Sequence, residues 1–192
     1  MKYNAIAHMS ILLSLCSGII TVAIPQTTTP NANDIKTAVY AWRADTGTVS
    51  EFLNNAGGRT FANNAAFHSA AVNAYNAELD ELTHKQVLDN ELPHTSQLEQ
   101  ANTTLVTDGT FQSVVDRLNL LQSLHYNQVN AIAKAVKQIN FGHGRVAGRC
   151  AAVLPAIDTY FSQAAQELEK LDGDSSLNGV RAIRPTACGN SN

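Results

Sequence analysis

The sequence predicts an all-α protein, a bundle of five to six amphipathic helices. Three observations carry that expectation. From about residue 34 onward, apolar residues recur three and four positions apart, the period of a helix with one buried face. No segment sustains the every-second-residue alternation of a half-buried strand. Glycine, proline and Ser/Thr-x-x-Glu signals fall between the periodic runs, where helices start and stop. Short turns between such helices leave each stripe one way to be buried, against its neighbours.

Residues 1–23 follow a different pattern. Lys2 is their only Lys, Arg, Asp or Glu, Ile11-Leu12-Leu13 opens an apolar stretch, and Thr21-Val22-Ala23 offers the small residues that signal peptidase requires. The apolar run is shorter than the roughly 20 residues that span a bilayer, which favours a cleaved secretory signal over an anchor. No later run is as apolar, so no transmembrane segment is expected. A secreted protein, extracellular or associated with the cell wall, is the predicted outcome. Residues 24–33 read as a polar Thr/Pro linker, 34–173 as the helical domain and 174–192 as a C-terminal tail.

Within the domain, Ile35, Val39, Trp42, Thr46, Val49 and Phe52 define the first helix. Gly47, followed by a capping-box match at Thr48–Glu51, predicts a kink or restart. The second helix is read from Phe61 to Leu88, with Phe61, Ala65, His68, Val72, Tyr75, Leu79 and Leu82 as its stripe. Pro93 ends it, and Ser96-Gln97-Leu98-Glu99 is another capping-box match. Asp108-Gly109 turns the chain into a helix burying Phe111, Val114, Val115, Leu118 and Leu121. Val129, Ile132, Ala133, Val136 and Ile139 make the next, stopped by the glycines of Phe141-Gly142-His143-Gly144. The last stripe runs from Val146 through Cys150, Ile157 and Phe161 to Leu171, with Asp158 off it and Pro155 predicted to kink or split the helix.

Charge and cysteine content narrow the function classes. The formal net charge of −3 leaves no basic excess for a phosphate backbone, so nucleic acid is not expected as a partner. Cys16 leaves with the signal, and Cys150 and Cys188 remain as an even pair in an oxidising compartment. A bridge between them would clip the tail to the last helix, adding up to about 4 kcal/mol in the chain-entropy model. The rival reading, a reactive thiol or metal ligand, lacks identifiable partners.

Candidate chemistry is sparse. Glu81 and His84 share the Glu-x-x-His spacing of di-iron bundles, but such sites need a second copy, and Gln122 to His125 lacks the carboxylate. A solvated acidic helix face explains the same residues. His68, on the apolar stripe, reads as a hydrogen-bonded core histidine. No serine-nucleophile or phosphate-loop motif is present, and no cofactor is expected. Asn102-Thr103-Thr104 is a glycosylation sequon. The aromatic stripes (Trp42, Phe52, Phe61, Tyr75, Phe111, Tyr160 and Phe161) could line an apolar ligand pocket, although core packing explains them more simply.

Two segments resemble small secreted proteins of filamentous fungi: Trp42-Arg43-Ala44-Asp45-Thr46-Gly47-Thr48-Val49, and Arg149-Cys150-Ala151-Ala152-Val153-Leu154-Pro155-Ala156-Ile157-Asp158-Thr159-Tyr160-Phe161. In size, leader and helical pattern the chain is also similar to the hydrophobic-surface-binding and cell-wall galactomannoprotein group. That resemblance implies adhesion to apolar surfaces or to the wall, with no catalytic residues to transfer. Three function classes follow. The first is a secreted, non-enzymatic protein binding a cell wall, a hydrophobic surface or a host target. The second is a carrier holding an apolar ligand between helices. The third is a metal-binding or enzymatic bundle built around Glu81 and His84.

Overall fold

The computed structural model describes residues 29–189, so the predicted signal segment lies outside the described residues. The architecture is all-α. Six helices follow in order: α1 (Ala32–Gly58), α2 (Asn64–Glu91), α3 (Ser96–Asn102), α4 (Thr110–Ser123), α5 (Val129–Phe141) and α6 (Leu154–Asp172). Between α5 and α6 a two-residue strand pair, β1 (Gly142–His143) and β2 (Val146–Ala147), forms a small hairpin. Wide π-helical turns at Thr103–Thr107 and Arg149–Val153 precede α4 and α6.

α1 runs 27 residues, about 40 Å, capped by the Asn31 side chain, which accepts the N–H groups of Asn33 and Asp34. The expected break at Gly47 is absent. Thr48 Oγ1 donates to the Ala44 carbonyl within the helix instead of capping a new one. A mid-helix glycine costs roughly 1 kcal/mol, and the packing of α2 along α1 overrides it. What Gly47 provides is space, since a Cβ there would lie 2.9 Å from Ile183 Cδ1 of the tail.

α2 begins at Asn64, after the Asn63 cap, and its buried face is not the predicted one. Phe67, Ala71, Ala74, Glu78, Glu81, Lys85 and Leu88 face inward, whereas Leu79 and Leu82 are exposed. His68 is exposed, not a core histidine. The inward residues keep the helical period, but three of them are charged, so a hydrophobic stripe could not reveal them. α3 is capped by Thr95, whose hydroxyl accepts the Leu98 N–H at 3.3 Å, and not by Ser96.

Pro155 does split the last periodic run. β2 and the Arg149–Val153 turn come first, and α6 starts at Leu154 with Pro155 in its opening turn, where a missing N–H costs nothing. Trp42, Phe67, Tyr160 and Phe161 are completely or almost completely buried, so the aromatic stripes are core. They form two groups. Trp42 packs edge-on to Phe161, with centroids 5.7 Å apart. At the other end Phe52, Phe61, Phe67 and Tyr126 cluster, with Phe67 stacked on Tyr126 at 5.5 Å.

The tail is laid along α1, advancing in the same direction as the helix. Asp174 pairs with Lys36, and the Ser176 carbonyl accepts from the Tyr40 hydroxyl at 3.3 Å. Arg43 Nε donates to the Arg181 carbonyl at 3.1 Å. The Ile183 N–H donates to Thr46 Oγ1 at 2.9 Å, and its carbonyl accepts from Ser50 at 2.7 Å. Asn54 accepts the Thr186 N–H at 2.8 Å. On the other side Asp158, buried rather than solvated, accepts from the Ala182 N–H at 2.8 Å and pairs with Arg184. The Cys150–Cys188 disulfide closes the arrangement, with Cα atoms 5.2 Å apart.

The hairpin turns on two glycines. Gly142 has φ +86°, and a Cβ on Gly148 would sit 2.3 Å from the Gly142 nitrogen, a clash with backbone that no rotamer relieves. Gly148→Ala is therefore expected to destabilise the fold by about 1–3 kcal/mol, the usual cost of overpacking. Urea unfolding would read this as a lower midpoint at unchanged slope; an unaltered midpoint would contradict the hairpin geometry.

Candidate functional site

Two features concentrate polar chemistry: a buried ionic cluster and an open groove beside the tail. The cluster begins on α2, where Glu78 and Glu81 lie three residues apart on one face. The β1–β2 hairpin reverses the chain and delivers Arg149 opposite them, all three completely buried. Arg149 Nη1 pairs with Glu78 Oε2, and Nη2 donates to Glu81 Oε1 at 3.1 Å. The second Glu81 oxygen accepts from Trp42 Nε1 of α1 at 3.0 Å. One guanidinium thus ties α1, α2 and the α5–α6 connection together.

One positive charge cannot neutralise two carboxylates. Burial pushes the Glu78 carboxyl up to about 8, against the opposing pull of Arg149 and with a further push from Glu81. Glu81 is also raised, again chiefly by burial. For Arg149, burial works against the charge, but the two carboxylates hold its value above the ordinary one. Burial around one guanidinium thus favours a proton on Glu78, which removes the negative charge that Arg149 leaves unmatched.

Two smaller groups flank it. Toward solvent, His84 Nε2 lies 3.1 Å from Asp45 Oδ2 and 3.5 Å from Asp80 Oδ2, ion pairs when the imidazole is protonated. Burial raises Asp45 above the usual carboxylate range. The ligand atoms of Asp45, Asp80 and His84 fall within 4.8 Å of one another, so these three could also hold a divalent cation. Toward the far end of α2, Lys85 Nζ donates to Asp89 at 2.6 Å while the Tyr160 hydroxyl donates to the other Asp89 oxygen at 2.7 Å. Lys85 also lies 5.3 Å from the Tyr160 ring centroid, within cation–π range. Burial and the Asp89 bond raise Tyr160, so the phenol stays protonated.

Glu81 and His84, paired by the sequence motif, go to different partners. Glu81 spends both oxygens on Arg149 and Trp42, while His84 turns to Asp45 and Asp80. Asn102 ends α3, half-buried in the wall of a small cleft shared with Asp89 and Tyr160. Asp45, Glu78 and Arg149 were not singled out by motif. Glu78 and Arg149 carried a faint signal, charged residues in register with apolar ones, that becomes legible only when opposite signs are paired across helices.

The groove is the larger feature, about 650 Å³, floored by residues 178–186 of the tail and walled by Tyr40 and Arg43 of α1. It is open to solvent and lined by three arginines, Arg43, Arg181 and Arg184, with no acidic residue in its lining. Tyr40 is 45 % exposed there. Compared with protein-family models, curated proteins and solved structures, the chain matches none.

Two expectations follow for the cluster. Arg149→Met leaves two carboxyl groups in the core without a counter-charge and should cost about 3–5 kcal/mol, seen as a large fall in the urea midpoint. The pH dependence has a definite sign. Glu78 binds its proton more tightly folded than unfolded, so its contribution is complete below about 4.5 and is lost as pH rises through about 8. The melting temperature should decline across that window, and Glu78→Gln, neutral at every pH, should flatten the decline. An equally steep decline in the variant would refute the assignment of the proton to Glu78.

Proposed function

We propose that this chain is an extracellular, non-enzymatic binding protein that attaches to a cell wall or host surface through the groove between α1 and the C-terminal tail. The observation that carries the reading is the groove itself: an open, arginine-lined channel held in shape by a disulfide-clamped tail. The disulfide suits an oxidising compartment. No helix among the described residues is long and apolar enough to cross a membrane.

The burial pattern moves weight within this reading. Trp42 and the other aromatic stripes pack in the core, so they do not favour adsorption to apolar surfaces. The exposed large apolar residues are scattered: Tyr40, Leu79, Leu82, Leu120 and Phe141 come from four helices, and Val106 from the turn before α4. The carrier alternative draws little support, because the larger grooves are open with mixed lining, the more apolar cleft beside Leu92, Leu98 and Tyr160 is small, and aromatic side chains fill the interior. The metal reading retains only the rim group of Asp45, Asp80 and His84.

The test is co-sedimentation of the secreted, oxidised protein with insoluble wall polysaccharides and, separately, with hydrophobic beads. Saturable retention on polysaccharide that disappears after reduction of the Cys150–Cys188 bridge is the expected result. A protein that remains wholly in the supernatant in every mixture would overturn the proposal.

A further inference from the structure

Resting on that binding role, we infer that the groove's ligand is a linear acidic polysaccharide, its carboxylates held by Arg43 and Arg181 and a sugar face laid against Tyr40. The first argument is charge. The chain has 13 Lys and Arg against 16 Asp and Glu, yet three arginines and no acid line this one groove. Asp158, from behind the floor, pairs with Arg184 and touches Arg181, so the excess positive charge rests on Arg43 and the exposed part of Arg181, and positive charge in a concave surface concentrates anions.

The second argument is which donors remain free. The middle of the groove's floor has already spent its backbone. The Ala182 N–H goes to Asp158, the Ala182 carbonyl to Arg184, and the Ile183 N–H and carbonyl to Thr46 and Ser50. A peptide adding itself as a continuous strand would find its ladder interrupted there. Recognition falls to side chains. Arg43 uses Nε on the Arg181 carbonyl, and its two Nη groups make no hydrogen bond among the described residues. The Arg181 side chain is 61 % exposed, with one 3.4 Å contact to Asp158. Guanidinium nitrogens presented in this way suit the two-oxygen geometry of carboxylates.

The third argument is shape and charge density. Residues 180–185 run between the turn at Ser176–Gly179 and the short helix at Thr186–Cys188 and floor an open groove, which suits a segment of polymer laid across it. A nucleic acid carries one charge per ~1.7 Å of duplex, a density that two exposed arginines do not match. A uronic-acid polymer spaces its carboxylates by whole sugar rings, which a few arginines can match. The exposed Tyr40 ring supplies an apolar face for the sugar between charges.

The experiment is affinity electrophoresis and calorimetry with polygalacturonate, a neutral β-glucan and duplex DNA at low and at physiological salt. The expected result is salt-sensitive binding to polygalacturonate, weakened at least tenfold by Arg181→Ala and further by Arg43→Ala/Arg181→Ala, with no binding to the glucan. Arg181→Ala alone removes an exposed side chain, so it keeps the test valid should the double variant loosen the tail; circular dichroism melts report on that. Wild-type and Arg181→Ala proteins binding polygalacturonate equally would overturn the inference, as would preferential binding to DNA. Binding to the neutral glucan alone would sink the acidic ligand while leaving the surface-binding reading intact. Failure to bind any polysaccharide would remove both.

Discussion

α1, α2 and the connection between α5 and α6 meet at the buried guanidinium of Arg149 and its two carboxyl partners. α2 presents Glu78, Glu81 and Lys85 on the face it buries, and a helix cannot bury such a face unless each charge is met. Arg149 meets two of them, and Trp42 satisfies the remaining Glu81 oxygen. Placing Arg149 there dictates the connection between α5 and α6: a tight hairpin closed by Gly142 and Gly148, then a wide turn that opens α6. Buried ion pairs stabilise little relative to apolar packing, and their better-attested role is to fix register. Here the register is that of α2, whose charged positions would be solvent-exposed after rotation by one residue.

The tail is held by a second set of polar contacts, made to a different face of α1 from the one that packs on α2 and α6. Lys36, Tyr40, Arg43, Thr46, Ser50 and Asn54 follow the helical period, as an apolar stripe would, and bind the tail in order. Asp158 secures it from α6, and Gly47 leaves room for Ile183. The disulfide then closes the end of a segment that is already bonded along its length. The consequence for function is rigidity. The groove exists because its floor is fixed, and a fixed floor spares a ligand the cost of ordering it.

The proposed site therefore comes from a segment with no apolar period of its own. Loops and tails fixed on a helical scaffold commonly carry binding residues for this reason. The ionic cluster, by contrast, has the look of catalytic machinery but is closed off from solvent, its guanidinium paired to both carboxyl groups. Its raised carboxyls follow from burial around a single counter-charge, which structural ion networks share with active sites.

Legible along the chain were the helical class, most of the helix boundaries, the turn at Gly109 and the pairing of Cys150 with Cys188. These are local or arithmetic matters: period, caps, and an even number of cysteines. Tertiary structure decided the face of α2, the continuity of α1 through Gly47, and the burial of Asp158. In each case the outcome hangs on a partner distant in sequence: Arg149 for Glu78 and Glu81, the packed face of α2 for the α1 segment at Gly47, Ala182 for Asp158. A charged residue's burial is determined by whether its counter-charge arrives, and a periodicity read along one helix has no access to what the fold brings opposite it.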